Sequence, residues 1–582
     1  MESHLRTNVT NILVIGSGGA GLRAAIAAYQ EGVEVVILGK RLRKDAHTIL
    51  AAGGINAALA TIDKEDTWQQ HFVDTLKEGY YLGDPFALEI LTREAPELVQ
   101  ELDQWGCEFN RTPSGELDQR YFGAHKYRRT CYAGDFTGRA ILNTLINKVE
   151  ELEIPIHENQ YVWRLLVQEG VCFGAMAFNI ESGQRTAYLA DAVILAAGGH
   201  TRIWRWSSSR RDENTGDGVY LALKAGCRVA DMELVQFHPT GMVWPEYMAG
   251  TLVTEAVRGE GGHLYNSKGE RYMQRYDPKR MELSTRDLIA LANYKEIQEG
   301  RHGPHGGVFL DISHKDKQTI IEKLPRMYRQ FMESQLLDIS KEKMEVAPTA
   351  HYSMGGVVVF PETHATDIDG LYAAGEVTSG VHGANRLGGN SLAEVLVFGR
   401  RAGQSAAGYS AKLTAQIRNP AIIHAAQDEL DALTKPGDEL ARPLQRALRI
   451  DMWENCGVVR DDKSLQKGLA TLEEIKKSSK SVDVRPDAMG FQDLATALDL
   501  RGSIVAAEAT LRSALAREES RGAHQRRDFP EISQRFNDNI QIRISDEGNQ
   551  EIRLEPVKNV PENLKAWLKD MGEFSVDGRL LE

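Results

Sequence analysis

The stretch Asn11-Ile12-Leu13-Val14-Ile15-Gly16-Ser17-Gly18-Gly19-Ala20-Gly21 decides how this chain is read. An apolar run of the kind buried inside a parallel sheet leads straight into glycines spaced G-x-G-x-x-G. The Ala-rich segment 22–31 predicts a helix, and 33–38 predicts a second buried strand. Together they make one βαβ unit. In such a unit the first glycine allows a tight turn, the second lets backbone approach a pyrophosphate, and the third lets the helix pack on the sheet. The helix N-terminus then offers N–H donors to the phosphates. A dinucleotide site is expected on Gly16, Gly18, Gly19 and Gly21.

One residue departs from that pattern. The second strand ends Leu38-Gly39-Lys40, where an acidic ribose partner often stands. Two other acids sit in glycine-rich turns, Asp217 in Thr215-Gly216-Asp217-Gly218 and Glu376 after Gly375. Asp217 suits a ribose or ribityl hydroxyl and equally suits ordinary turn chemistry. Glu376 has the stronger claim, because its strand belongs to the same expected sheet.

Further out, segment 191–196 ends in Gly198-Gly199, and segment 370–374 ends in Gly375-Glu376. Both read as strands of the first sheet, separated from it by insertions. Segment 391–407 reads as an Ala-rich helix returning to that sheet. Beyond Asn419, segments 428–433, 443–451, 464–477 and 491–517 carry helical periodicity. Segments 539–544 and 551–554 alternate like a hairpin around Asp546-Glu547-Gly548.

Bulk properties bound the function. The chain has 582 residues, which implies several cores. Its formal charge of -13, with no long basic run, argues against nucleic acid as a partner. Cys107, Cys131, Cys172, Cys227 and Cys456 form no C-x-x-C pair, which speaks against a zinc knuckle or a cysteine-ligated cluster in this chain. Their scatter fits reduced thiols in a cytoplasmic setting. No signal-peptide pattern opens the sequence, and no run approaches the ~20 apolar residues of a membrane span. Any membrane link is therefore expected to run through a partner.

Several ordered motifs add to this. They are Ala46-His47-Thr48 with Gly53-Gly54, Arg129-Thr130-Cys131, Gln236-Phe237-His238-Pro239-Thr240-Gly241, and Thr254-Glu255-x-x-Arg258-Gly259-Glu260-Gly261-Gly262. Further on stand Thr285-Arg286-Asp287, Pro348-Thr349-Ala350-His351-Tyr352-Ser353-Met354-Gly355-Gly356 and His382-Gly383-Ala384-Asn385-Arg386-Leu387-Gly388-Gly389-Asn390-Ser391-Leu392. With Glu519-Ser520-Arg521-Gly522-Ala523-His524 and Asp528-Phe529-Pro530 the set runs from Asn11 to Pro530. In these motifs the chain resembles the flavoprotein subunit of the succinate dehydrogenase and fumarate reductase family.

That resemblance implies an α/β fold, with a Rossmann-like FAD-binding domain, an inserted α+β capping domain and a C-terminal helical domain. The expected divisions are 1–240 and 355–418 for FAD binding, 241–354 for the cap, 419–530 for the helices and 531–582 for an extension. It implies succinate/fumarate interconversion by hydride transfer at flavin N5. His238, Thr254, His351 and Arg386 would bind the substrate carboxylates. Arg286 would give and take the proton, relayed through Glu255 and Arg258. On the residues alone, Glu255 and Arg258 could also be a simple i, i+3 helical pair, and His238 and His351 could be satisfied buried imidazoles. FAD would meet the Gly16–Gly21 turn, His47, Thr48, Gly53, Gly54, Asp217, Glu376, Asn390, Ser391 and Leu392. In the family a His at position 47 is linked covalently to the flavin, although Asp45-Ala46 replaces the Arg-Ser usual before it. His382 is expected against flavin or substrate. The implied partners are an iron–sulfur subunit, with a membrane anchor and quinone beyond it, on the inner face of a membrane. The rival within the fold is L-aspartate oxidase. Phe122 stands where that enzyme's amine-facing carboxylate is expected, which favours a dicarboxylate without an amine.

Overall fold

The computed structural model describes residues 5–485, 490–533 and 536–569. Strand Arg6–Ile15 lies between Val35–Leu38 and Arg185–Leu195, parallel to both. Leu371–Ala373 joins Arg185–Leu195 in parallel, and Ile156–His157 joins Val35–Leu38. Val171–Asn179 and Gln160–Gln168 extend the sheet antiparallel, to seven strands. The register pairs Ile15 with Leu38 and with Leu195, and Leu195 with Ala373. Four strand ends are therefore level, and Gly16, Gly198 and Gly375 leave the sheet along one edge. Ligands of open α/β sheets bind at that edge. The strands expected from glycine-terminated apolar runs are thus neighbours, although they lie far apart in sequence.

The first helix spans Gly19–Gln30 and so begins inside the glycine turn, earlier than the apolar pattern indicates. Packing overrides propensity there. A Cβ on Gly21 would fall 1.9 Å from the backbone oxygen of Gly16. Gly16 itself has φ +120°, and a Cβ on it would fall 2.1 Å from the Ala196 oxygen. Helix Asn390–Lys412 packs along Gly19–Gln30, with Gly403 close against the Ala24 backbone.

Strands Val235–Met242, Met344–Ser353, Val308–Asp311 and His263–Tyr265 form a separate antiparallel sheet in that order. Its own core contains Met242, Val253, Leu264, Ile289, Leu310 and Val346. The register sets Phe237 opposite Ala350 and His238 opposite Thr349. Two motifs more than a hundred residues apart are thereby brought side by side.

Helices Pro420–Leu433, Ala441–Asn455, Asp462–Ser478 and Gln492–Ala516 follow. The expected hairpin is present as Asp538–Ile544 and Gln550–Pro556. Its first strand also pairs with Val229–Ala230, so the tail completes a sheet in the body of the protein. Helix Glu562–Lys569 packs on Trp68–Glu78. The remainder of the extension expected to 582, from position 570 on, lies outside the described residues. Among the described residues, no helix is long and apolar enough to cross a membrane, and no group of three or more His, Cys, Asp or Glu could hold a metal ion.

Candidate active site

One cleft of about 1930 Å³, counting its open mouth, runs along the level strand ends. Its wall includes Gly16, Gly18, Gly19, Lys40, His47, Thr48, Gly53, Gly54, Asp217, Glu376, Ser391 and Leu392, and also His238, Thr254, Glu255, Arg286, His351 and Arg386. Most of the residues singled out from sequence thus share one cavity.

The glycine side of the cleft fits a flavin dinucleotide. A Cβ on Gly18 would meet nothing nearer than Thr48 Oγ1 at 3.5 Å, so the space over that backbone is open to a ligand. The helix starting at Gly19 has no side-chain cap, and only its first N–H is taken, by Thr48 Oγ1 at 3.0 Å. The helix starting at Asn390 also lacks a side-chain cap, and Gly389 enters it with φ +90°. Two uncapped helix starts aimed at one cavity suit a pyrophosphate and an electron-rich ring. At the missing-acid position, Lys40 Nζ sits 3.3 Å from Asp217 and 2.6 Å from Asp499, which the helix Gln492–Ala516 delivers. Tyr161 donates to the same Asp499 oxygen at 2.9 Å.

His47 lies in the wall with Nδ1 3.1 Å from Glu213 Oε2. Arg210 holds both Glu213 oxygens, through its backbone N–H at 3.1 Å and Nη1 at 3.0 Å. Burial opposes charge on His47, but the Glu213 hydrogen bond and its charge outweigh it and raise the imidazole above its ordinary value. Burial likewise pushes the Glu213 carboxyl up, and His47 with Arg210 overcomes this and holds it down to about 2.

Opposite stands a cationic group. Arg286 Nη1 and Arg386 Nη2 each donate to the same Gln236 Oε1, at 3.0 Å and 3.0 Å. Arg286 Nε donates to Glu255 Oε2 at 2.9 Å. Arg386 lies over the Tyr352 ring and reaches Ser391 Oγ, while its buried Nε has no hydrogen-bond partner among the described residues. Burial and then the Arg286 charge lower Arg386 to about 10. The His238 and His351 rings meet edge to face at 5.3 Å. Burial, followed by the neighbouring cations, pushes both imidazoles well below their ordinary value, so they stand neutral. Burial would raise Glu255, but Arg286 and Arg258 outweigh it and hold it down to about 2. Arg258 is buried behind Glu255, with Nη2 3.7 Å from Oε2 and Nη1 on the Glu282 backbone oxygen. Such an array suits a small dianion, held by fixed donors that need no reorganisation. Phe122 packs close to Gly53 and Gly388 in the same wall.

Three expectations turn out differently in detail. Asn390 does not face the cleft with its side chain. Its Oδ1 accepts from Asn56 and His71 at 2.7 and 2.8 Å, and its Nδ2 donates to Thr75. Gly21 does not line the cleft with the other glycines and keeps only the packing role its place in the pattern gives it. His382 is buried with Glu394 at 2.9 Å and edge to face with Tyr352. Conversely, sequence reasoning gives no role to Gln236 or Glu213. Nor does it find Ser208, whose Oγ lies 2.9 Å from His351 Nδ1.

A family model described as FAD binding domain matches residues 11–392, and one described as fumarate reductase flavoprotein C-term matches 445–566. The chain is 45% identical to a chain of fumarate reductase (CoM/CoB) from Methanothermobacter marburgensis, over 91% of this chain and 96% of that one. It belongs to the succinate dehydrogenase and fumarate reductase flavoprotein family. A second member, the succinate dehydrogenase flavoprotein subunit of Rickettsia conorii, is 36% identical over 90% of each chain. Among solved members, Mycobacterium smegmatis Sdh1 in complex with UQ1 superposes with a TM-score of 0.89 at 38% identity, covering 98% of each chain. As a member of this family the chain is an FAD-binding oxidoreductase, which accounts for the open glycine bed and uncapped helix starts.

Proposed function

We propose that the chain interconverts succinate and fumarate. The observation that carries this is the pair Arg286 and Arg386, joined through one Gln236 oxygen and sharing a cleft with the flavin bed. Bound FAD supplies the hydride donor or acceptor at N5. His238, Thr254, His351 and Arg386 together hold the two carboxylates of the substrate, supported by their common place in the cleft wall. This orients the central carbons and excludes water between them and the ring. Arg286 gives a proton to the carbon next to the one that gains hydride, or takes it in the reverse direction. A guanidinium ordinarily titrates above ~12. Ionised Glu255, on Arg286 Nε, takes the proton on from Arg286 when succinate is oxidised and relays one from solvent back to it in the reverse direction, with Arg258 stabilising the carboxylate from behind.

His47 is the attachment point we assign for covalent FAD, supported by its place in the cleft wall. Acid-precipitated protein that keeps yellow fluorescence on the polypeptide supports this, and fluorescence left in the supernatant refutes it.

Electrons reach or leave the ring through an iron–sulfur subunit, with a quinone-reactive membrane anchor beyond it. The Mycobacterium smegmatis relative is described with UQ1, whereas the Methanothermobacter marburgensis relative is named for CoM/CoB. Co-purification with an iron–sulfur protein tests the partner. Phe122 near Gly53 and Gly388 speaks against L-aspartate as substrate, because its ammonium would face an apolar ring. The decisive test is dye-linked turnover. Succinate-dependent reduction is expected, and turnover of aspartate alone reverses the reading.

A further inference from the structure

A line of hydrogen bonds runs from the two arginines away from the cleft. Gln236 Nε2 donates to Asn385 Oδ1 at 2.8 Å and to the Arg386 backbone oxygen at 2.9 Å. Asn385 Nδ2 in turn donates to Glu78 Oε1 at 2.7 Å and to Asp287 Oδ1 at 3.0 Å. Tyr80 donates to the other Asp287 oxygen at 2.7 Å. Gln236 and Asn385 are 0% and 1% exposed, so water does not substitute for these partners.

Donor and acceptor chemistry leaves this line only one direction. The Asp287 carboxylate can only accept, so Asn385 must turn its NH2 toward it, and Glu78, whose carboxyl burial and Asp287 push well up, accepts from the same NH2 through its carbonyl oxygen. The Asn385 oxygen then faces Gln236, which must answer with its own NH2. That leaves Gln236 Oε1 as the acceptor that Arg286 and Arg386 share. Turning either amide over would set N–H against N–H in a buried place. Glu78 also lines a second cavity, which shares Phe122 and Glu255 with the first.

We propose that Asn385 is a positioning residue for the Arg286–Arg386 pair. Asp287 fixes its orientation, with Glu78 as a second partner, and Gln236 passes that orientation on. This rests on the proposed use of the two arginines for a dicarboxylate. Asn385 touches neither arginine side chain in the hydrogen-bond network. Its effect is on where Gln236 holds them, and a displacement of 1 Å at a reacting centre can cost about 100-fold in rate.

The test compares two changes at this position in the flavin-loaded enzyme. Asn385→Leu removes the acceptor that Gln236 needs. Asn385→Asp combined with Asp287→Asn keeps that acceptor and returns an NH2 group behind it, with the oxygen of the new amide still accepting from Tyr80 and Glu78, whose carboxyl burial pushes well up, supplying its O–H. The readouts are kcat and KM for the dicarboxylate, flavin content, and the Kd of malonate, a dicarboxylate that does not react, from flavin absorbance. Asn385→Leu is expected to lose about 100-fold in kcat and about 10-fold in malonate affinity with flavin content unchanged. The double variant is expected to stay within about 10-fold of the wild type in kcat. Wild-type kcat and malonate affinity in Asn385→Leu overturn the proposal. So does a double variant as impaired as Asn385→Leu. If Asn385→Leu does not fold, Asn385→Ala removes the same groups with less bulk, and wild-type kinetics there overturn the proposal equally. A wild-type enzyme that neither binds malonate nor turns over a dicarboxylate removes the reading of the site itself, and this inference with it.

Discussion

Lys40 Nζ lies 2.6 Å from Asp499 Oδ1, so the end of the second sheet strand is tied to a helix 459 residues further along the chain. The same ammonium holds Asp217 at 3.3 Å. Lys40→Ala leaves buried Asp499 and half-buried Asp217 facing each other without their cation. A loss of ~3 kcal/mol in stability is expected, together with a lower flavin-to-protein ratio. Thermal unfolding and the absorbance ratio of purified protein check both.

Glu255 accepts from Arg286 Nε and stays ionised throughout the working pH range, its carboxyl being held down to about 2 against the effect of burial. Glu255→Gln keeps the shape and removes the proton acceptor. The expected result is a fall in kcat of ~10²–10⁴-fold with KM changed much less. Steady-state kinetics at several pH values decide it. An unchanged kcat excludes Glu255 from the proton path.

In the flavin-free protein, where the His47 imidazole is unmodified, the Glu213–His47 pair predicts a pH-dependent stability. His47 is raised above its ordinary 6.5, so its contribution is complete below 6.5 and fades as pH rises through the higher folded value. Glu213 is lowered from 4.5 to about 2, so its contribution is complete above 4.5 and fades as pH falls toward 2. The gap in Tm between wild type and Glu213→Gln should be widest between pH 4.5 and 6.5 and should narrow on the alkaline side. Calorimetry across that range reads it directly, and a gap that widens toward alkaline pH contradicts the pairing.

Phe122→Glu places a negative charge in the wall shared with Arg286. The KM for succinate should rise ~10-fold or more, while the ratio of aspartate to succinate turnover should increase. Dye reduction with each substrate measures the ratio, and a variant with wild-type KM for succinate shows that position 122 does not face the ligand.

Much of the bed for the cofactor is legible in sequence because its grammar is local. A buried run such as Ile12–Ile15 followed by glycine announces a strand end, and three such signals at Gly16, Gly198 and Gly375 converge in space. The histidine and arginine motifs are legible through their order along the chain. Residues whose role depends on distant partners are not. Gln236 meets Arg286 from 50 residues away, and Glu213 meets His47 from 166. Nothing beside either residue signals the encounter. Asn390 shows a finer limit. It is one position from Ser391, yet the ~100° step between helical neighbours turns its side chain into the packing toward His71 and Thr75. Lys40 shows a substitution of means. The acid missing from the end of its strand is made good by Asp217 and Asp499, from remote parts of the chain.

The level strand ends also govern when this protein can acquire its cofactor. The nest for the nucleotide draws on Gly16, Glu376 and Leu392 at once, and its far corner on Asp499. A ribosome that has released only the opening βαβ unit has made a signature without a receptacle. Loading must therefore wait until most of the polypeptide has emerged, which makes it a late step in biogenesis.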